Sequence, residues 1–157
     1  MAWGLEGRGE PLRPEKLGQS GFMFRLLTAA TFQSLIYQGV PQLFPKLRWA
    51  TLEATARWLP FALGDVLRRS KYVGQGAEKT AADLMRENNF YVQVQFGDDL
   101  PYLLEWSSED HLVIGTDYGH TDTSADIESF REFREAGGVD ASIIDKMFSD
   151  NPASLYN

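Results

Sequence analysis

The chain reads as an α/β protein built on a short parallel sheet, and three observations carry that reading. Leu112, Val113 and Ile114 run without a polar break, as in a strand buried on both faces, before giving way to Gly115, Thr116 and Asp117. Segments with helical spacing alternate with strand-like segments from the first helix to the last, which requires crossover connections and parallel strands. Each strand also ends at polar groups, Glu53, then Gln95 with Asp98, then Asp117. That puts them on one rim, the carboxyl end of the strands, where such folds carry their chemistry.

Taken in order, residues 1–21 mix glycine, proline and charge with no hydrophobic period and are expected to form a loop or ragged start. Leu26, Leu27, Ala30, Leu35, Ile36 and Val40 then recur at helical spacing, which predicts a helix over 22–44, weakened by Gly39 and Pro41 and ended by Pro45. Trp49 to Leu52 is a short strand that stops at Glu53. A turn over 55–60 leads to a helix that opens at Pro60 and runs to about Ser70, since proline suits the first helical position. Residues 71–77 form a loop, and 78–87 a short helix with Ala82, Leu84 and Met85 as its apolar side.

Asn88 and Asn89 mark a turn into the strand over 90–96, where aromatic, β-branched and polar residues alternate. Gly97, Asp98 and Asp99 break it, the two acids reading as a solvated helix start. A helix over 100–108 is expected to carry Leu103, Leu104 and Trp106 to the core. Beyond the strand at 112, a helix over 124–136 stops at Gly137-Gly138, and a last helix spans 141–148 before Asn151-Pro152. No repeat, low-complexity tract or linker divides the chain, so residues 1–157 are treated as a single domain. Three strands are nevertheless too few for a self-sufficient parallel sheet covered on both faces, and the layout looks like the last part of something larger.

Charge and composition exclude several functions. Fifteen Lys+Arg against 22 Asp+Glu give a net charge of -7 and no basic stripe, against a nucleic-acid or anionic-membrane partner. The lack of cysteine rules out disulfides, thiolate zinc sites and a cysteine nucleophile. No apolar run approaches the ~20 residues needed to cross a bilayer, and the first residues are not those of a signal peptide, so a cytoplasmic location is expected. Nothing resembles a glycine-rich phosphate loop, nor a nucleophilic serine with a base in reach.

The candidate chemistry lies near 117. Asp117 and His120 stand three residues apart after the third strand and suit metal binding or proton transfer. The competing reading is that Asp117 only caps a helix beginning near Asp122 or Ser124. Arg57 and Trp58 follow the first strand, where a guanidinium pairs with a substrate carboxylate and an indole stacks on a planar ring. Packing of Trp58 between helix and sheet is the alternative. His111 lies at the far end of its strand, about 13 Å from Asp117 by strand rise, and is assigned no site role.

Several motifs occur together. Gly39-Val40, Phe44-Pro-Lys-Leu-Arg48, Leu52-Glu53, Trp58-Leu-Pro60-Phe61, Val113-Ile-Gly-Thr-Asp117-Tyr118 and the terminal Asn151-Pro-Ala-Ser-Leu-Tyr156 resemble the carboxyl-terminal part of the amidohydrolase-related proteins. The most similar branch contains aminocarboxymuconate semialdehyde decarboxylase and related metal-dependent decarboxylases and hydrolases. The resemblance covers roughly residues 25 to 157. It implies a (β/α)₈ TIM barrel whose sixth, seventh and eighth strands are those at Trp49, Phe90 and Leu112. It also implies a divalent metal, usually zinc, at the carboxyl-terminal rim. Asp117 falls on the aspartate of the family's Gly-[Ser/Thr]-Asp-Tyr motif, which meets the metal and handles a proton.

The departures from that pattern count as much. The first-strand His-x-His and the fifth-strand histidine are absent, and Glu53-Ala-Thr stands where the decarboxylase branch has a histidine followed by glycines. Some relatives carry a glutamate there, so Glu53 is read either as a catalytic or ligand residue or as a salt-bridge partner of Arg57 or Arg48. Glu53, Asp117 and His120 together would form an oxygen-rich set that favours magnesium or manganese over zinc.

The resemblance therefore implies the carboxyl-terminal part of a metal-dependent hydrolase or decarboxylase acting on a small carboxylated or cyclic substrate. With its metal site incomplete, it is expected to be inactive alone and to work as a homo-oligomer or with a missing amino-terminal half. The rival expectations are a non-catalytic remnant or assembly module that pairs its sheet edges with another chain, or a small-molecule binding module without chemistry.

Overall fold

In the computed structural model, residues 22–72, 79–119 and 127–157 are described. The sheet has three parallel strands, β1 (Trp49–Thr51), β2 (Phe90–Val94) and β3 (Leu112–Ile114), in spatial order β1-β2-β3. Sequential neighbours joined by helical crossovers are the topology expected of alternating elements. Trp49 pairs with Phe90, and Val92 with Leu112, so the register aligns the carboxyl ends of all three strands.

Helix α1 (Phe22–Tyr37) is followed by the short α2 (Val40–Leu43) rather than continuing. Gly39 takes a left-handed φ of 65° between them, and Pro41 lies in the first turn of α2, so the single helix expected over 22–44 is broken. Phe32 of α1 is fully buried and meets Phe90 and Trp58 edge-on at centroid distances of 4.6 and 5.4 Å. Helix α3 (Leu59–Tyr72) carries Pro60 in its first turn, where no intrahelical N–H is lost. Helix α4 (Ala81–Glu87) starts later than composition suggests because Thr80 and Asp83 form a reciprocal capping box. Each side chain there accepts from the other residue's backbone N–H.

Alternation along β2 separates two faces. Phe90, Val92 and Val94 join Leu112 and Ile114 in the core beneath the helices, while Tyr91, Gln93 and Gln95 lie on the opposite face. Helix α5 (Leu100–Glu105), capped by Asp99, is shorter than expected. Trp106 therefore falls beyond its end and stays 38% exposed instead of entering the core. Helix α6 (Ser129–Ala136) ends at Gly137 with φ 71°, and residues 120–126 lie outside the described residues. Helix α7 (Ala141–Phe148) is capped by Asp140.

The Asn-Pro tail is also helical, forming α8 (Asp150–Tyr156). It packs where the sheet would otherwise be bare: Tyr91 Oη lies 3.2 Å from Ser154 Oγ. Because Val92 N–H donates to His111 O, the next carbonyl of β3, that of Leu112, points to the strand's outer edge. There it accepts from Asn151 Nδ2 at 2.6 Å. No described strand pairs with the outer edge of β1, which borders an apolar groove of about 620 Å³ lined by Phe24, Leu27, Leu35, Trp49 and Leu52. Among the described residues no helix is long and apolar enough to cross a membrane.

Candidate functional site

The loops after β1 and β3 leave their strands through left-handed backbone. Glu53 (φ 59°), Thr55 (φ 54°) and Asp117 (φ 50°) all sit within four residues of a strand's carboxyl end. This conformation is unfavourable for non-glycine residues and worst for a β-branched one, and such strain gathers where structure serves a site. Both acids line a single cleft of about 190 Å³. Its walls are Leu52 after β1, Val113, Ile114 and Gly115 at the end of β3, and Pro152, Leu155 and Tyr156 of α8. The fold thus brings Glu53 and Asp117 together, though 64 positions separate them.

Gln93 braces this arrangement. It is 5% exposed, and its Oε1 accepts the backbone N–H of Glu53 at 2.9 Å. Its amide lies across Gly115, so that a Cβ there would come within 2.6 Å of Nε2. Gly115 is accordingly required by close approach, not by backbone angle. At this rim Thr55 Oγ1 and Gln95 Nε2 are buried with no partner among the described residues.

The other proposed site residues lie elsewhere. Arg57 donates through Nε to Asp98 Oδ1 at 3.0 Å and through Nη2 to the carbonyl of Gly97 at 2.6 Å, and it lines a separate outer groove with Phe61, Tyr102 and Trp106. Trp58 is buried in the core, its Nε1 donating to Thr55 O at 2.9 Å. His120 lies outside the described residues. Asp98, read from sequence as a solvated helix start, is buried: its carboxylate accepts from the N–H groups of Ala56 and Gln95 as well as from Arg57.

At the opposite end of β3, His111 is 6% exposed and stacks on Tyr91, with its Nδ1 unpartnered among the described residues. Burial pushes its pKa below the ordinary 6.5, opposed by the Asp110 carboxylate and assisted by the cations of Arg86 and Lys146. Asp110 stays charged through the same range because Lys146 holds its carboxyl below the usual value. Between the folded pKa and 6.5 the unfolded chain binds the extra proton, so stability is full above 6.5 and erodes as pH falls through that interval. The urea midpoint is expected to drop between pH 7.5 and 5, with a slope of at most ~1.4 kcal/mol per pH unit from this group. His111→Phe should flatten that part of the profile, and an unchanged profile would place the acid sensitivity elsewhere.

With acids at the carboxyl ends of parallel strands in view, comparison with known proteins is informative. A family model described as Amidohydrolase matches residues 11–157. The chain belongs to the amidohydrolase family. Amidohydrolases of this group are generally metal-dependent hydrolases. The crystal structure of an amidohydrolase from Mycobacterium avium subsp. paratuberculosis K-10 is similar, with a TM-score of 0.69 and 24% identity. The likeness covers 85% of this chain and 34% of that one, so the chain spans about a third of the length of that amidohydrolase. At this identity the likeness concerns the fold, in which three parallel strands with flanking helices match part of a TIM-barrel chain. No curated protein matches the chain. The donor set does not complete a metal centre: among the described residues no three His, Cys, Asp or Glu side chains converge. A catalytic zinc site takes three protein ligands, one more than the two acids that line the cleft among the described residues.

Proposed function

We propose that the chain is the carboxyl-terminal part of a metal-dependent amidohydrolase-type enzyme, similar to the branch that holds aminocarboxymuconate semialdehyde decarboxylase. Its substrate is a small carboxylated or cyclic compound that is hydrolysed or decarboxylated. The observation that carries this reading is the convergence of Glu53 and Asp117 on one cleft at the carboxyl ends of the strands. In it Asp117 is the metal ligand and proton acceptor, with zinc the expected ion, and Glu53 and His120 assist. Arg57 is kept as a candidate for a substrate carboxylate and Trp58 for a planar ring, although neither shares that cleft.

Two acids fall short of a metal centre, so the isolated chain is expected to give background rates only. The assay is a panel of β-keto acids, aromatic acids, lactones and cyclic amides with zinc or manganese added. Robust turnover abolished by Asp117→Ala would show that the chain is competent by itself and overturn its dependence on further residues.

A second reading, an assembly module in the cytoplasm that pairs with another copy or with a separate amino-terminal half, is favoured by one feature. Among the described residues no strand pairs with the outer edge of β1, which lies beside an apolar groove of about 620 Å³, and unpaired edges beside apolar surface invite association. Light scattering is then expected to show an oligomer. A monodisperse monomer at micromolar concentration would remove this reading.

A further inference from the structure

Helix α8 is fastened around a buried imidazole. Asn151 Nδ2 donates to the carbonyls of Glu109 and Leu112, which flank His111 in the chain. One turn further on, Ser154 Oγ meets the hydroxyl of Tyr91, whose ring stacks on the imidazole at a centroid distance of 4.9 Å. His111 is 6% exposed, and its Nδ1 is buried with no partner among the described residues. An imidazolium carries a proton on both ring nitrogens, so the charged form would bury a donor from which nothing accepts. The groups that face it do not make up for this. Asp110, beside it in the chain, favours the charged form but is already paired with Lys146 of α7, while Lys146 and Arg86 of α4 both oppose it and Tyr91 of β2 presents its ring.

We propose that His111 is an acid-sensitive latch for α8: the helix is held closed over the neutral imidazole, and protonation of His111 releases it, opening the α8 wall of the cleft as the pH falls. Release exposes the ring to water, where both N–H groups find acceptors. In the released state His111 titrates as an ordinary histidine near 6.5, whereas burial holds it lower while α8 is closed. The closed state is therefore fully favoured above pH 6.5 and loses ground as the pH falls toward the closed-state value, by up to about tenfold per pH unit. Helix α8 gives way before the sheet does, since among its seven residues only Asn151 is buried whereas all five positions of β2 are. Pro152, Leu155 and Tyr156 of α8 line the cleft with Glu53 and Asp117. A proton taken up at the far end of β3 thus controls access to the opposite rim, whatever the cleft binds.

The test is hydrogen exchange on the purified 157-residue chain at pH 7.5 and 5.5, corrected for intrinsic exchange. Protection over 150–156 is expected to fall about three- to tenfold at the lower pH while β2 keeps its protection. In His111→Phe, which keeps a ring against Tyr91 and leaves His120 in place, protection over 150–156 should no longer depend on pH. The coupling is reciprocal, so an Asn151→Leu chain, with α8 freed, should show the His111 imidazole resonances titrating closer to 6.5 than in the unsubstituted chain. This second measurement decides the matter if His111→Phe does not fold. Unchanged α8 protection between the two pH values overturns the latch. So does an equal loss in α8 and β2, which means global unfolding, or an equal loss in His111→Phe, which means that another group is the sensor. An Asn151→Leu chain with protected β2 but an unmoved His111 titration overturns it as well. None of these results bears on the amidohydrolase reading of the cleft.

Discussion

Asp98→Ala is expected to lower the unfolding free energy by about 3–4 kcal/mol, the largest single loss in the rim. The side chain is 1% exposed, and its two oxygens are shared among three donors, Ala56 N–H at 2.8 Å, Gln95 N–H at 3.1 Å and Arg57 Nε at 3.0 Å. Truncation strands two backbone N–H groups in the loops after β1 and β2, each costing about 1–3 kcal/mol when left unpaired. Arg57→Ala should cost less than about 1 kcal/mol from the ion pair, because that side chain is 44% exposed and screened. Asp98→Asn, which keeps one acceptor oxygen, should fall between the two. Urea denaturation of the three variants checks the order. Equal losses for Asp98→Ala and Arg57→Ala would mean that the ion pair, and not the carboxylate-to-backbone bonds, holds the rim together.

Asp98 also shows where reading the sequence stops. A charged residue after a glycine has the local signature of an exposed turn, and what buries it is Ala56 N–H, 42 positions away. No window of sequence contains that partner. The strands were legible because the unbroken apolar run of Leu112 to Ile114 and the alternation of Phe90 to Val94 each follow from the number of faces a strand buries. The start of α4 carried a local signal that could have been used, since Thr80 and Asp83 stand at capping-box spacing. Trp106 failed for the opposite reason: helical periodicity says which face a residue would occupy, but not that α5 ends one residue before it.

Half of the candidate cleft was visible in advance. Glu53 and Asp117 were found because each ends a strand, and a shared rim follows from parallel topology. Gln93 was passed over, yet its signal was present. It is a polar residue in the middle of a strand whose five positions are all buried, two strand positions before a rim whose neighbouring strand offers Gly115. A buried amide opposite a glycine is a pairing that only the register of β2 against β3 reveals, with Gln93 beside Val113. The cleft is therefore a product of register as much as of motif: one acid from each outer strand, and the amide that orients one of them from the strand between.

Asn151→Leu is expected to cost about 2–3 kcal/mol and to open one wall of that cleft. The native side chain is 3% exposed, and its Nδ2 donates to Glu109 O and Leu112 O, both at 2.6 Å. Leucine is close in size, so the loss comes from two unpaired carbonyls and not from a cavity. The Leu112 carbonyl is the one that parallel geometry turns away from β2, and Asn151 closes that edge position. Helix α8 has seven residues, too few to be stable on its own. Its position therefore depends on this anchor, on the buried residues of α7 before it and on the weaker Tyr91–Ser154 contact. Since Pro152, Leu155 and Tyr156 line the cleft with Asp117, freeing α8 should speed hydrogen exchange over 150–156, while exchange in β2 changes little. Ser154→Ala provides the scale, because it removes one long hydrogen bond at the surface and should cost under about 0.5 kcal/mol. If Asn151→Leu is no worse than Ser154→Ala, the helix is held by the apolar contacts of Ile144 and Met147, and the asparagine is not what seals the sheet edge.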